Sequence, residues 1–453
     1  MLKPTIFREY DIRGIADEDL LSPDVELLGR GIGSYLRKHS GPAVNLGRDC
    51  RPSSDRLRDA LVLGLAAAGC DVTDIGVVPT PVLYHSVGRL QAHGAVMITG
   101  SHNPPEYNGF KVVCGTGTIH GSQIQEVRVM IESESFSSGG GSVKEADAVS
   151  PYVDDISSRI QLSRRVKVVF DAGNGTAGPV MRRILQRLNV DAVELFFDMD
   201  GRFPNHHPDP TVEKYLAHLT AKVRDSQAEM GIAFDGDADR IGAVDEKGQV
   251  VWGDMLMLIY AREILARKPG ATFIGEVKCS QVMYDEIRRL GGNAIMWRTG
   301  HSLIKAKMKE SKAELAGEMS GHIFFADRYY GFDDALYAAL RLVEIVADAR
   351  RPLSAQLEGV PRMVVTPEIR VDCPDEVKFK VVECVVEHFK KSRQVVDVDG
   401  ARVLFERGWG LVRASNTQPV LVLRFEAATA GDLESYRSEV EQALAAAKAR
   451  CGV

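Results

Sequence analysis

The chain has 453 residues, 45% of them hydrophobic and 26% charged, with a formal net charge of -6 and a pI near 6.0. That length exceeds what one hydrophobic core supports and that apolar content fills several, so three or four domains are expected and disorder is excluded as the default. The mildly acidic balance excludes general nucleic-acid and anionic-membrane binding, which call for a basic excess or stripe, so any anion must be held by local charge.

Seven cysteines, an odd number without CxxC spacing, fit reduced thiols rather than a disulfide framework. The start, MLKPTIFREYDIRG, lacks an apolar signal core, and the longest apolar run, around Leu61 to Ala68, is too short to span a bilayer. A cytoplasmic protein with no membrane partner is expected, as a monomer or weak homodimer.

In chain order, the first strand, helix, strand unit is AVNLGRD, RLRDALVLGLAAAG, CDVTDIG. The apolar run AVMIT then leads into TGSHNPPEYNGFK, Thr99 to Lys111, whose glycine and proline setting places Ser101 on an exposed, stiff loop after a strand. Such a hydroxyl is a candidate nucleophile, with an ordinary turn serine as the alternative. SFSSGGGS, in the stretch Ser135 to Ser150, cannot fill a core and marks a boundary. VKVVFDAGNG, PVMRRILQRL and VDAVELFF form a second unit of the same plan.

The run MGIAF precedes DGDADR, where Asp235, Asp237 and Asp239 alternate. A curved loop lets three such carboxylates converge, and hard oxygens suit Mg2+, which takes phosphate oxygen as a further ligand. A helix-loop-helix calcium site would use Glu246 as its last ligand, but the strand-like Ile241 to Val244 interrupts that loop. Arg240 adds a cation for a phosphoryl group.

TFIGEVKCS, VMYDEIRRLGG and NAIMWRTG give the third unit, so three related α/β domains are the economical reading. GEMSGH, Gly317 to His322, offers Glu318 as acceptor and Ser320 as hydroxyl for vicinal sugar hydroxyls, while His322 reads as packed or solvated. After RRPLSAQLEGVP the pattern changes to a helix at Asp375 to Lys391, a hairpin turning at Asp399 and Gly400, two strands around RASNTQP, and a last helix at Asp432 to Ala447. In that loop Arg413, Ser415, Asn416 and Thr417 are suited to gripping a phosphate dianion. The expected domains are 1–147, 148–248, 249–361 and 362–453, the last α+β.

These four segments, in this order, together with FREYDIRG at Phe7 to Gly14, resemble the α-D-phosphohexomutase superfamily, in its bacterial phosphomannomutase/phosphoglucomutase branch, over essentially the whole chain. The resemblance implies four domains around a central cleft, three related α/β domains with mixed sheets and a smaller α+β domain. It implies a phosphohexose mutase that interconverts hexose 1-phosphate and hexose 6-phosphate, of glucose or mannose, through phosphoserine at Ser101 and a hexose 1,6-bisphosphate. One Mg2+ per chain is implied, held by Asp235, Asp237, Asp239 and a phosphoserine oxygen on Ser101. Lys111 matches an acid/base lysine with Arg13 as electrostatic partner, an arrangement expected to depress its pKa. Tyr10, His102, Lys278 and His301 match substrate-proximal or supporting residues. Glu318 and Ser320 would hold the sugar, with His322 beside them, while Arg413, Ser415, Asn416 and Thr417 would hold the phosphate that is not reacting.

Ala238 departs from the DGDGD pattern of many relatives, and αR backbone is expected there. A mutase preferring glucosamine phosphate and a metal-dependent phosphatase that releases phosphoserine to water are the two alternatives.

Overall fold

Strands buried on both faces read as unbroken apolar runs, and the segments AVMI and MGIAF behave so: Gly94–Ile98 and Met230–Phe234 are buried along their whole length. The computed structural model describes residues 2–416 and 418–453. Its contacts divide the chain into two units, one running to Ile264 and taking in His301–Glu358, the other comprising Leu265–Gly300 and Gly359–Val453.

In the first unit a seven-stranded sheet has a parallel centre, Ala43–Arg48 between Asp71–Val77 and Gly94–Ile98, with Tyr107–Cys114 and Ile12–Ile15 added antiparallel at one side. Helices Ser22–His39 and Ser54–Ala67 cover it and cross closely at glycines. A Cβ on Gly64 would lie 2.0 Å from the Glu26 carbonyl, so this approach excludes any side chain there. A second, five-stranded sheet pairs Val166–Asp171 parallel with Val190–Leu195 and Met230–Phe234, and the latter turns back antiparallel into Ile241–Asp245. Leu315–Gly317 and Ile323–Phe325 form a further antiparallel pair.

The second unit contains the parallel pair Thr272–Glu276 and Asn293–Trp297. It also holds a six-stranded antiparallel sheet led by Ala401–Phe405, Gly408–Ala414 and Val420–Ala427. Helices Lys378–Phe389 and Ala430–Arg450 pack on that sheet through Val381, Val385, Val440 and Leu444. The expected strand, helix, strand units are all present, and so is the turn at Asp399 and Gly400, where Gly400 has φ +97°. Mixed α/β sheets followed by an α+β segment match the expected fold class. No helix among the described residues is long and apolar enough to cross a membrane.

Each of the four polar segments joins an antiparallel strand pair. Residues 99–106 link Gly94–Ile98 to Tyr107–Cys114, and 235–240 link Met230–Phe234 to Ile241–Asp245. Likewise 318–322 and 415–419 close the pairs that contain Gly317 and Ala414.

Candidate active site

The Ser101 loop turns as soon as its strand ends. The Ser101 amide donates to Thr99 Oγ1 at 2.8 Å, and the Asn103 amide to the Gly100 carbonyl at 2.9 Å. Ser101 itself takes left-handed backbone, φ 49°. For an L residue that conformation costs on the order of 1–3 kcal/mol, and it persists where surrounding contacts over-determine it. The exposed position expected for Ser101 is not what forms: the residue is 2% exposed, because the turn points it into the aspartate loop of the neighbouring sheet. Its Oγ donates to Asp235 Oδ2 at 2.8 Å and lies 3.2 Å from His102 Nδ1. Burial, then Arg240 and Arg13, hold His102 well below its ordinary pKa, so the ring is neutral.

The aspartate loop curls on Asp235, whose Oδ1 accepts the amides of Asp239 and Arg240, both at 3.1 Å. Ala238 sits at φ 59°, left-handed rather than the αR expected, since Asp235 to Arg240 must reverse direction within a hairpin loop. Asp237 Oδ2 accepts from Thr80 Oγ1 at 2.6 Å and from Lys111 Nζ at 2.7 Å, and Asp239 Oδ2 accepts from Lys111 at 2.5 Å. All three carboxylates are fully buried and each offers an oxygen within 4.8 Å of the others'. The Oδ1 atoms of Asp237 and Asp239 have no hydrogen-bond partner. Buried carboxylate oxygens left without donors form a hard, anionic donor set that fits Mg2+. Burial first, then Asp237 and Asp239, push Asp235 well above the usual carboxylate range, the response of crowded acids.

Two expectations about Lys111 are overturned. Arg13 is not its partner: Arg13 pairs with Asp11 and donates to Asn103 Oδ1 at 2.8 Å. Nor is its pKa depressed. Burial alone would lower it, but Asp237 and Asp239 outweigh burial and hold the ammonium well above its ordinary value. A cation inserted between two buried carboxylates is stabilised by both.

The hairpin loop of GEMSGH meets the aspartate loop through a bridge between Arg240 and His322, with Arg240 Nε donating to His322 Nε2 at 3.0 Å. His322, expected to be a packed or solvated histidine, is 4% exposed, with Nδ1 3.1 Å from Asp333 Oδ2 and 3.6 Å from Asp239 Oδ1. His301 stacks on it at 5.8 Å between ring centres, and Tyr10 meets His301 edge-on at 6.2 Å. Burial and Lys305 keep His301 well below its ordinary pKa. Glu318 is buried and accepts from Ser320 Oγ at 3.3 Å. The first unit therefore brings Ser101, His102, Lys111, the three aspartates, Arg240, His301 and His322 together. Sequence reasoning missed Thr80, Lys305 and Asp333. Asp333 accepts from Lys305 at 3.1 Å and is held well below the carboxylate range, burial notwithstanding, by Lys305 and His322. No local motif marks these residues.

In the second unit Arg413 is buried and its Nε donates to Asp399 Oδ2 at 3.1 Å. Ser415 is also buried, its Oγ accepting the Gln418 amide at 3.2 Å; Asn416 is half-buried, and Thr417 lies outside the described residues. Lys278, which by itself reads as a surface lysine, is 7% exposed and donates to Glu368 Oε2 at 3.3 Å. Lys278 chiefly, with Arg370 and Arg413, lowers Glu368 to about 2. Cations from three separate segments thus converge on one carboxylate.

Four family models match in sequence. They describe phosphoglucomutase/phosphomannomutase alpha/beta/alpha domain I at residues 4–138, domain II at 150–248, domain III at 252–363 and the C-terminal domain at 368–443. The phosphomannomutase/phosphoglucomutase of Pseudomonas aeruginosa is 44% identical over 446 residues, 98% of this chain and 96% of that protein. The phosphoglucomutase of Neisseria gonorrhoeae is 40% identical over 444 residues, 97% and 96% of the two chains. A solved phosphoglucomutase/phosphomannomutase family protein from Burkholderia thailandensis superposes with a TM-score of 0.93 at 44% identity, covering 99% of this chain and 98% of that one. With its four domain models and with relatives aligned nearly end to end, the chain belongs to the phosphoglucomutase/phosphomannomutase family.

Proposed function

We propose that this enzyme interconverts hexose 1-phosphate and hexose 6-phosphate, with glucose, mannose or both as the hexose, through phosphoserine at Ser101 and a hexose 1,6-bisphosphate. The observation that carries the chemistry is the 2.8 Å contact of Ser101 Oγ with Asp235, beside two buried carboxylate oxygens that lack donors. In the forward half-reaction the free sugar hydroxyl attacks phosphorus, the bond from phosphorus to Ser101 Oγ breaks, and the hydroxyl proton is given up as Oγ takes one. The bisphosphate then turns end over end and returns its other phosphoryl group to Ser101.

Asp235, Asp237 and Asp239 would hold Mg2+, which supplies charge stabilisation to the transferring group and its bridging oxygens. Arg240 adds a fixed cation to the same side, and His102, being neutral, orients Oγ without repelling the ammonium of Lys111. Lys111, which reaches Asp237 and Asp239, would serve as the acid/base group or offset charge at the oxygen that leaves phosphorus. Arg13 steadies the Ser101 loop through Asn103. Glu318 and Ser320, with His322, His301 and Tyr10, would read the sugar hydroxyls. In the second unit Arg413, Ser415, Asn416, Thr417 and Lys278 would hold the phosphate that is not reacting.

The near-complete burial of Ser101 favours a mutase over a phosphatase, because a phosphoserine shielded from water survives to meet the sugar. Trace hexose 1,6-bisphosphate acts as activator by phosphorylating Ser101. The same reading places the enzyme in the cytoplasm, as a monomer or weak homodimer that binds neither nucleic acid nor membrane. Glucose 1-phosphate, mannose 1-phosphate and glucosamine 1-phosphate are to be assayed side by side with Mg2+ and trace bisphosphate. Isomerisation of the first two is the expected result, and free phosphate as the main product would overturn the reading.

A further inference from the structure

Arg51 lies beneath the Ser101 loop with its side chain fully buried, and every N–H of its guanidinium is used. Nη2 donates to the carbonyls of Ser101 at 2.8 Å and Asn103 at 2.6 Å, and Nη1 to those of Pro104 at 2.5 Å and Tyr107 at 3.1 Å. Nε donates to Asp49 Oδ2 at 3.1 Å. The same Asp49 oxygen accepts the Gly100 amide at 3.1 Å, while Asp49 Oδ1 accepts from Ser54 Oγ at 2.6 Å. Gly100 admits this approach, since a Cβ there would lie 2.5 Å from Arg51 Nε. The Phe203 ring closes the other side at 5.1 Å from the guanidinium carbon.

We propose that Arg51, with Asp49 behind it, is the positioning residue that holds Ser101 in its left-handed backbone and so aims Oγ at the aspartate loop. The role rests on Ser101 being the phosphoryl carrier. Four carbonyls on one turn of chain converge on one planar, five-donor cation. Removing that cation frees the turn to relax toward right-handed backbone, which swings Oγ away from Asp235. Lysine cannot substitute, because an ammonium has three donors and no plane. Neither Arg51 nor Asp49 is among the residues proposed to touch the substrate, so the loss falls on turnover rather than on binding. Displacements of about 1 Å in reacting groups cost on the order of 100-fold in rate.

The test compares R51K, D49N, S101A and R341K in the full-length enzyme with glucose 1-phosphate, Mg2+ and trace bisphosphate, alongside thermal midpoints. Arg341 is equally buried, paired with Asp327 at 3.1 Å, and touches no part of the Ser101 loop, so R341K reports a purely structural loss. R51K is expected to lose about 100-fold in kcat with KM within about threefold, and D49N about tenfold in kcat. R341K is expected to lower the midpoint and keep kcat per folded molecule. If R51K does not fold, D49N carries the test with the same split between kcat and KM. Retention of kcat per folded molecule in R51K, or in D49N where R51K does not fold, would overturn the clamp while an inactive S101A leaves the phosphoserine reading standing. Turnover in S101A would overturn both.

Discussion

Ser101 and Ala238 hold the same unusual backbone, φ 49° and 59°, for opposite reasons. At Ser101 the conformation aims the hydroxyl proposed to carry the phosphoryl group, so on that reading Ser101→Ala is expected to lose more than about 1000-fold in kcat, measured by coupled assay, with the fold intact. At Ala238 the methyl group is only a steric cost. Ala238→Gly removes roughly 1–2 kcal/mol of left-handed strain and adds back part of it as unfolded-chain entropy. A net gain of about 0.5–1 kcal/mol in urea unfolding is expected, with Mg2+-dependent turnover retained. Lys111 is the third residue with a clear consequence. Its removal leaves Asp237 and Asp239 buried without a countercharge, so Lys111→Met is expected to cost about 3–5 kcal/mol in chelator, read by thermal unfolding, with part restored by Mg2+, and to lose most turnover.

Strands and helices were legible because each carries its own period: AVNLGRD, VKVVFDAGNG and TFIGEVKCS formed strands, and the helices after them formed in place. The joining loops were legible as motifs, yet their contacts were not. The bridge between Arg240 and His322 joins residues far apart in the chain, and Asp333, Lys305, Thr80 and Arg51 sit in segments with no local signature of chemistry. Gly321 shows why elements matter here. It has φ +89°, and a Cβ would lie 2.2 Å from the Ile241 carbonyl, in the same pairing that lets Ile241 donate to the Gly321 carbonyl. Gly321→Ala is expected to cost about 2–3 kcal/mol and to raise KM, because the hairpin proposed to read the sugar can no longer lie against the aspartate loop.

At the scale of the whole molecule Glu368 in the second unit and Asp334 in the first answer acid in opposite directions. Glu368 in the second unit is lowered to about 2, so its contribution is complete above its unfolded pKa near 4.5 and is lost as pH falls toward 2. Glu368→Gln is expected to cost about 1–2 kcal/mol at pH 7 and progressively less on acidification, by thermal unfolding across pH. In the first unit burial raises Asp334 to about 6 although Tyr329 and Tyr152 donate to it. Above pH 6 it is ionised in both states and the burial cost is fully felt, so its stability term improves as pH falls from 6 toward 4. By itself the sequence determined the α/β and α+β plan, and it marked the four polar loops with Ser101 and the three aspartates as candidates. Those follow from periodicity and from side-chain chemistry, which are local. Only the tertiary structure decided that Ser101 is buried, that Lys111 pairs with Asp237 and Asp239 rather than Arg13, that Ala238 is left-handed, and that Arg51 bonds to the carbonyls of the Ser101 loop. Each of these depends on which distant carboxylate or carbonyl a folded sheet brings within about 3 Å, a distance that residue order along the chain does not encode.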